Sequence, residues 1–188
     1  GATSAAVATI LKAGEELISL LPLGIGFLDQ TINNIGRGLL YDLPPHTVLT
    51  LVKKLQIAYL KGLQKPDGGI YVRDLPHYIT SVAAMAFVAK ERPEYTPVIE
   101  KARAFLVEQV IDEGEGYTPK DKFYGGVGYG SDLRPDLANV EYALRALKET
   151  GLAKDHAAWE KAIKFLQRTQ NLTETNDQPG VLNDGGFM

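Results

Sequence analysis

Apolar and polar residues along this chain recur with the 3.6-residue period of a helix, and no stretch alternates convincingly with the period of two expected of a half-buried strand. Trp159, Ala162, Ile163, Leu166 and Gln170 fall at i, i+3, i+4 spacing, which predicts one apolar stripe on a helix over about 156–170. Similar patterns predict helices over about 47–64 and 96–111. Two further helices are expected over about 76–91 and 135–149, burying Val82, Ala86 and Ala89 in the first and Val140, Leu144 and Leu147 in the second. Each opens after an aspartate and near a proline, Asp74 with Pro76 and Asp132 with Pro135. An aspartate offers an oxygen to the free amides of a first turn, where the missing N–H of proline costs nothing. Another helix is expected over about 5–21, and Pro22 to Pro45, with its glycines and prolines, reads as an irregular connector. The expected fold class is all-α.

The pattern also repeats. Gly68–Glu91 aligns without a gap on Gly126–Glu149 at an offset of 58, with Gly68/Gly126, Tyr71/Tyr129, Asp74/Asp132, Leu75/Leu133 and Val82/Val140 identical. Ser81 then faces Asn139. The following segment repeats too: Ile99–Leu106 reads IEKARAFL and Trp159–Leu166 reads WEKAIKFL, at an offset of 60. Two successive segments in step indicate a duplication. The expected organisation is an N-terminal part over 1–46, then helix-pair repeats over 47–95, 96–154 and 155–188. The last of these has one helix and a loop where a second helix is expected, so the chain reads as a partial one. Its open end is expected to pair with another molecule, because helix-pair repeats bury their faces on neighbours.

An aromatic-Leu pair, a Gln and a Gly-containing loop recur in order: Tyr59-Leu60, Gln64 and Asp67-Gly68-Gly69-Ile70, then Phe165-Leu166, Gln170 and Asp184-Gly185-Gly186-Phe187. The middle copy, Phe105-Leu106 to Gly126-Val127-Gly128-Tyr129, has Val110 in place of Gln. These residues resemble the QW motif of the prenyltransferase and squalene-cyclase repeat family, although Ile70 and Phe187 stand where Trp is usual. The resemblance covers about residues 47–188. It implies an α/α toroid of alternating inner and outer helices around a cavity that binds an isoprenoid or another apolar ligand.

The chemistry of that family is not legible here. The Asp-x-Asp-Asp acid of the cyclases and the Asp-Asp-x-x-Asp magnesium motif of terpene synthases are absent, and with no cysteine the zinc site of protein prenyltransferases cannot be built. The Cys-Gln thioester of complement-type toroids is excluded on the same ground. His46, His77 and His156 stand singly, without the spacing of a helical zinc site. The run Tyr124–Gly130 is glycine-rich but lacks the Lys-Ser/Thr of a phosphate loop. Asn171-Leu-Thr173 forms a glycosylation sequon.

Candidate binding residues gather at the starts of the second helices. Asp74 and His77 beside Arg73, and Asp132 and Asp136 beside Arg134, suit a polar cavity mouth, with Tyr78 and Tyr129 offering π faces to an apolar or cationic group. The same aspartates suit helix capping, which recurrence favours, since a catalytic pair need not recur. No catalytic residue, metal ligand or cofactor is assigned.

Net charge of −3 argues against nucleic acid as the partner. The most apolar stretch, Leu17–Leu28, is shorter than the ~20 residues of a membrane-spanning helix. Two functions stand side by side: an isoprenoid-binding member of the resembled family, or a non-catalytic helical-repeat scaffold that binds another protein or its own copy.

Overall fold

A computed structural model describes residues 54, 56–130 and 134–187. The N-terminal helix and connector expected before residue 47, and the candidate Asp132, lie outside these residues. The described residues form an all-α fold of five helices without a strand. The chain divides into two compact units, Gly1–Leu63 and Gln64–Met188. In the first, residues 56–62 are helical (α1) and Ile57 is buried.

The second unit contains α2 (Pro76–Val88), α3 (Thr96–Glu108), α4 (Leu137–Glu149) and α5 (Ala157–Thr169). α2 stops early because of Pro93. Its ring forces Arg92 into extended backbone (φ −116°, ψ 123°), and Glu91 turns the chain through a left-handed conformation at φ 51°. α2 packs on α3 and α4, and α4 also on α5. Phe105, Leu106, Ala146 and Leu147 form one apolar cluster, and Val110, Val127, Val140, Ala143, Ala158 and Phe165 another.

Two expectations about helix faces need correction. Val82 is 40% exposed and Ala89 is exposed. The face of α2 that is buried carries His77, Thr80, Ser81, Ala84 and Phe87 instead. On α5, Ile163 is 54% exposed while Ala158, Ala162, Phe165 and Arg168 are buried. In both helices a second set of apolar residues lies beside the buried stripe, so periodicity alone placed the face about one position off. Val140 and Leu147 of α4 are buried as expected.

The expected caps also shift. Asp74 is exposed, and Leu75 occupies the cap position of α2 in a left-handed conformation with no side-chain acceptor. With Pro76 as the first helical residue, Asp74 stands one position too early to reach the first amides. α4 is capped by Asp136, which accepts from the Asn139 amide at 2.9 Å and from Asn139 Nδ2 at 2.6 Å. α5 is capped by His156 Nδ1, which accepts from the Ala158 amide.

One backbone arrangement recurs three times. Lys65 donates to the Gly69 carbonyl and accepts from the Gly68 amide, at 2.8 and 2.9 Å. Ile111 does the same with Gly126 and Gly125, and Asn171 with Gly186 and Gly185. In each case the first glycine has positive φ: 95° at Gly68, 82° at Gly125 and 76° at Gly185. Two of these closures support a helix at van der Waals contact. A Cβ on Gly68 would lie 2.2 Å from the Lys101 carbonyl oxygen of α3, and one on Gly125 would lie 1.7 Å from that of Lys161 in α5. The second glycine faces an aromatic ring in both, Phe105 over Gly69 and Phe165 over Gly126.

The glycine requirement at these points is therefore steric as well as conformational. Gly116 shares the positive φ, 82°, but has nothing within 4 Å of an added Cβ. Gly116→Ala is expected to lose about 1–2 kcal/mol from backbone strain alone. Gly125→Ala, which also drives a methyl group into a helix carbonyl, is expected to lose about 4 kcal/mol or more. Urea-unfolding midpoints of the two variants check this, and equal losses would refute the steric account.

Candidate functional site

The sequence-predicted site residues separate into different environments. Asp74 lies on the surface, while His77, three residues on, is fully buried. Asp136 is occupied as a helix cap. Tyr78 and Tyr129 come together, joined by Tyr142 of α4, which the sequence reading did not single out. The rings of Tyr78 and Tyr142 meet edge to face with centroids 4.7 Å apart. Hydrogen bonding and charge interaction with Tyr142 push the Tyr78 phenol above its ordinary value, with burial and Tyr129 adding to the effect. Raised in this way, the Tyr78 phenol stays protonated near neutral pH and offers a π face and a hydroxyl rather than a base. Tyr129 is 42% exposed, and Leu75 and Val82 flank Tyr78 on the same stripe of α2.

Behind this surface lie unpartnered polar groups. Both ring nitrogens of His77, the Ser81 hydroxyl and the Asn139 side-chain oxygen have no hydrogen-bond partner among the described residues, and all three residues are fully buried. Burial pushes the His77 imidazole down to about 4, so it is neutral at physiological pH. Thr80, by contrast, accepts from the Ile70 amide at 2.8 Å. Among the described residues no three His, Cys, Asp or Glu groups gather to hold a metal ion. No described helix is long and apolar enough to cross a membrane.

The glycine-rich run is a structural loop. Tyr124 is buried and its hydroxyl donates to Glu113 Oε1 at 2.8 Å, while Lys161 of α5 reaches Asp112 and Glu113 at 2.8 and 3.0 Å. Burial pushes the Lys161 ammonium down, but the two carboxylates reverse this and hold it above its ordinary value. Glu113 falls to about 2, mainly through its own backbone amide and then through Lys161 and Tyr124. The sequon asparagine is also structural. Asn171 is buried, its amide donates to Asp184 Oδ1 and its carbonyl accepts from Leu182, so the nitrogen a glycan would need is not available in the folded chain.

Arg168 holds the same end of the unit together. Its side chain is 2% exposed and forks onto both oxygens of Asp177 at 2.6 and 2.7 Å. It also donates to the Asp121 and Pro119 carbonyls, so one guanidinium ties two loops to α5. Arg168 first, and then Gln178, holds the Asp177 carboxyl far below its usual range.

The third glycine closure lies just beyond and differs from the other two. Among the described residues a Cβ on Gly185 would meet the Leu172 side chain, at 3.9 Å, and one on Gly186 would meet Asp184. Ile70 and Val127, the residues after the first two glycine pairs, are 0% and 2% exposed, whereas Phe187 is 65% exposed and nearby Leu182 79%. Gln64 Nε2 donates both to Gly68 in its own loop and to the Val98 carbonyl of α3. Gln170 Nε2 donates to Gly185, and the bond to a neighbouring helix has no counterpart among the described residues. The first and third copies of the motif were legible in the sequence, whereas in the second the closure uses Gly125 and Gly126, one position before the run Gly126–Tyr129 that the sequence pattern matches.

Family models, curated proteins and solved structures were each compared with this chain, and none matches it.

Two predictions follow from the buried groups. For His77 the folded value of about 4 lies below the unfolded 6.5, so the unfolded chain binds more protons between them. Stability is then complete above pH 6.5 and falls by about 3 kcal/mol as the pH drops to 4. His77→Gln is expected to flatten the profile in that window, and an unchanged slope in thermal unfolding would sink the assignment. Arg168→Met, which leaves the Pro119 and Asp121 carbonyls without donors, is expected to lose about 3 kcal/mol in urea unfolding, with little recovery in Arg168→Lys.

Proposed function

We propose that the chain is a non-catalytic helical-repeat scaffold that holds another macromolecule. One observation carries this reading: Phe187 is 65% exposed at a position whose two counterparts, Ile70 and Val127, are buried. Leu182 of the same loop is 79% exposed as well, and exposed large apolar residues of this kind suit a contact site. In this reading each glycine closure is a joint between neighbouring helices, and such surfaces are the ones a helical-repeat scaffold uses for contact.

The chemistry near the other candidate residues supports the same conclusion. The Tyr78 phenol is held above its ordinary value, and the described residues gather no metal-binding group. A cleft of about 420 Å³ beside the end of α2 is open and lined with mixed charge, including Glu91, Arg92, Arg103 and Glu149.

A second reading, in which the chain binds an isoprenoid or another apolar ligand, rests on the resemblance to the prenyltransferase and squalene-cyclase family. The half-exposed faces of Tyr78, Tyr129 and Tyr142 favour it.

Thermal unfolding with polyprenyl diphosphates and neutral polyprenes of increasing length separates the two. The scaffold reading expects no shift. A bound ligand at a hundredfold excess over its dissociation constant would add about 2.7 kcal/mol, a rise of about 5–10 °C for a domain of this size. A rise that grows with chain length would overturn the scaffold reading.

A further inference from the structure

We infer that the first turn of α2 is an acid-released latch: when His77 takes up a proton, the turn swings off α4 and parts Tyr78 from Tyr142, while the rest of the unit stays folded.

The latch sits at the end of a helix. His77 and Tyr78 are the second and third residues of α2, so freeing them costs a single turn. That turn is weakly held at its head. Leu75 stands there with φ 53° and no side-chain cap, a left-handed conformation that a residue with a Cβ adopts only under strain. Val72–Leu75, which lead into it, are exposed. By contrast, α4 and α5 open on the side-chain caps Asp136 and His156. The firm part of α2 begins at Thr80, whose hydroxyl holds the Ile70 amide at 2.8 Å, and continues through buried Ala83, Ala84 and Phe87. A hinge therefore falls just before Thr80.

The seam beneath the turn is poor in partners. His77 is fully buried with both ring nitrogens unmatched among the described residues, and Ser81, one turn on along the same face, has an unmatched hydroxyl. The unmatched oxygen of Asn139 belongs to the same level, because Asn139 lies one turn before Tyr142 and Tyr142 meets Tyr78. Opening hands these atoms to water, which the closed seam denies them.

Charges on the helices packed against α2 do nothing for the imidazole. On α4, Asp136 is bound to Asn139, and Glu141 and Arg145 are exposed. On α3, Glu100 and Lys101 are exposed and Arg103 donates to the Thr150 carbonyl. The charged residues further along both helices are exposed as well. The phenols of Tyr78 and Tyr142 are the titratable neighbours in the seam. Burial is the one cause that pushes His77 down to about 4. An open, hydrated turn returns it to its ordinary 6.5, so between the two values the open form is protonated and the closed form is not. Across that window the opening equilibrium rises by up to about 300-fold, and by about 20-fold between pH 7 and pH 5. The tyrosine surface is then intact at neutral pH and loosened in acid.

Native-state hydrogen exchange of the full chain reads the latch, run at several urea concentrations below the unfolding midpoint and corrected for intrinsic exchange. The amides of Ile79, Thr80 and Ser81 report on it, because their helical acceptors are the carbonyls of Leu75, Pro76 and His77. They are expected to exchange through an opening nearly independent of urea, since one turn exposes little surface, and one that grows about 20-fold from pH 7 to pH 5. Amides of Phe165 and Leu166 in α5 are expected to follow urea steeply. His77→Leu is expected to abolish the acid dependence, and Tyr78→Ala to raise the opening several-fold at every pH without changing its slope. If the three amides follow urea as steeply as α5, the turn opens only with the whole unit and the latch is refuted. An opening indifferent to pH refutes it too, and these wild-type results decide even where a variant fails to fold. Acid dependence that persists in folded His77→Leu assigns the proton to another group and overturns it. An opening unchanged by Tyr78→Ala removes the tyrosine contact from the latch and overturns it likewise.

Discussion

The contact on which the second unit depends is made by backbone on both sides: a helix carbonyl resting on the α-carbon of a glycine. At Gly68 and Gly125 the approach is so close that no side chain of any kind fits. The positive φ at each glycine turns its amide back to Lys65 or Ile111, and the second glycine opens room for Phe105 or Phe165. Much else is set by that approach. α5 seated on Gly125 brings Phe165 to Val127 and Val140, and it places Lys161 against Asp112 and Glu113. The loop bonds and glycine contacts thus set helix position, and the more exposed ion pairs add little to it.

The parts of the fold that announce themselves in sequence are those with a local cause. Paired glycines, aromatic-Leu pairs and helical periods are legible because turn stereochemistry and helix geometry act over a few residues. Helix faces were read less well, since Val82 and Ile163 share the period of the buried stripes beside them and only the tertiary neighbours choose between the stripes. Asp74 illustrates a finer limit. A proline near an aspartate marks a helix start, yet whether the aspartate caps depends on which residue is first in the helix, and a single position separates Asp74 from that role. Tyr142 was overlooked because its importance comes from Tyr78 on another helix.

The unit contains two opposite treatments of buried polarity. Arg168 is almost wholly enclosed and spends its donors on Asp177 and two loop carbonyls, so its charge is neutralised where it lies. His77, Ser81 and Asn139 are enclosed with polar atoms unmatched. Groups of the second kind weaken a core by a few kcal/mol each relative to apolar replacements. Ser81 is the sixth residue of α2 and Asn139 the third of α4, so the two helices carry this polarity at different points along their length. A tightly clamped end and a locally frustrated helix pair therefore coexist in one small unit.

The closure and the helix that sits on it are different surfaces, one a pair of glycines held open by reciprocal amide bonds and the other a curved row of carbonyl, methyl and ring. Neither can mate with a copy of itself. A contact of this type has a direction, like a plug and its socket, and cannot lie across a twofold axis as the face of a symmetric dimer does. Whatever joins through it adds in one sense only, so order and polarity in an assembly would be written into the backbone of a single turn.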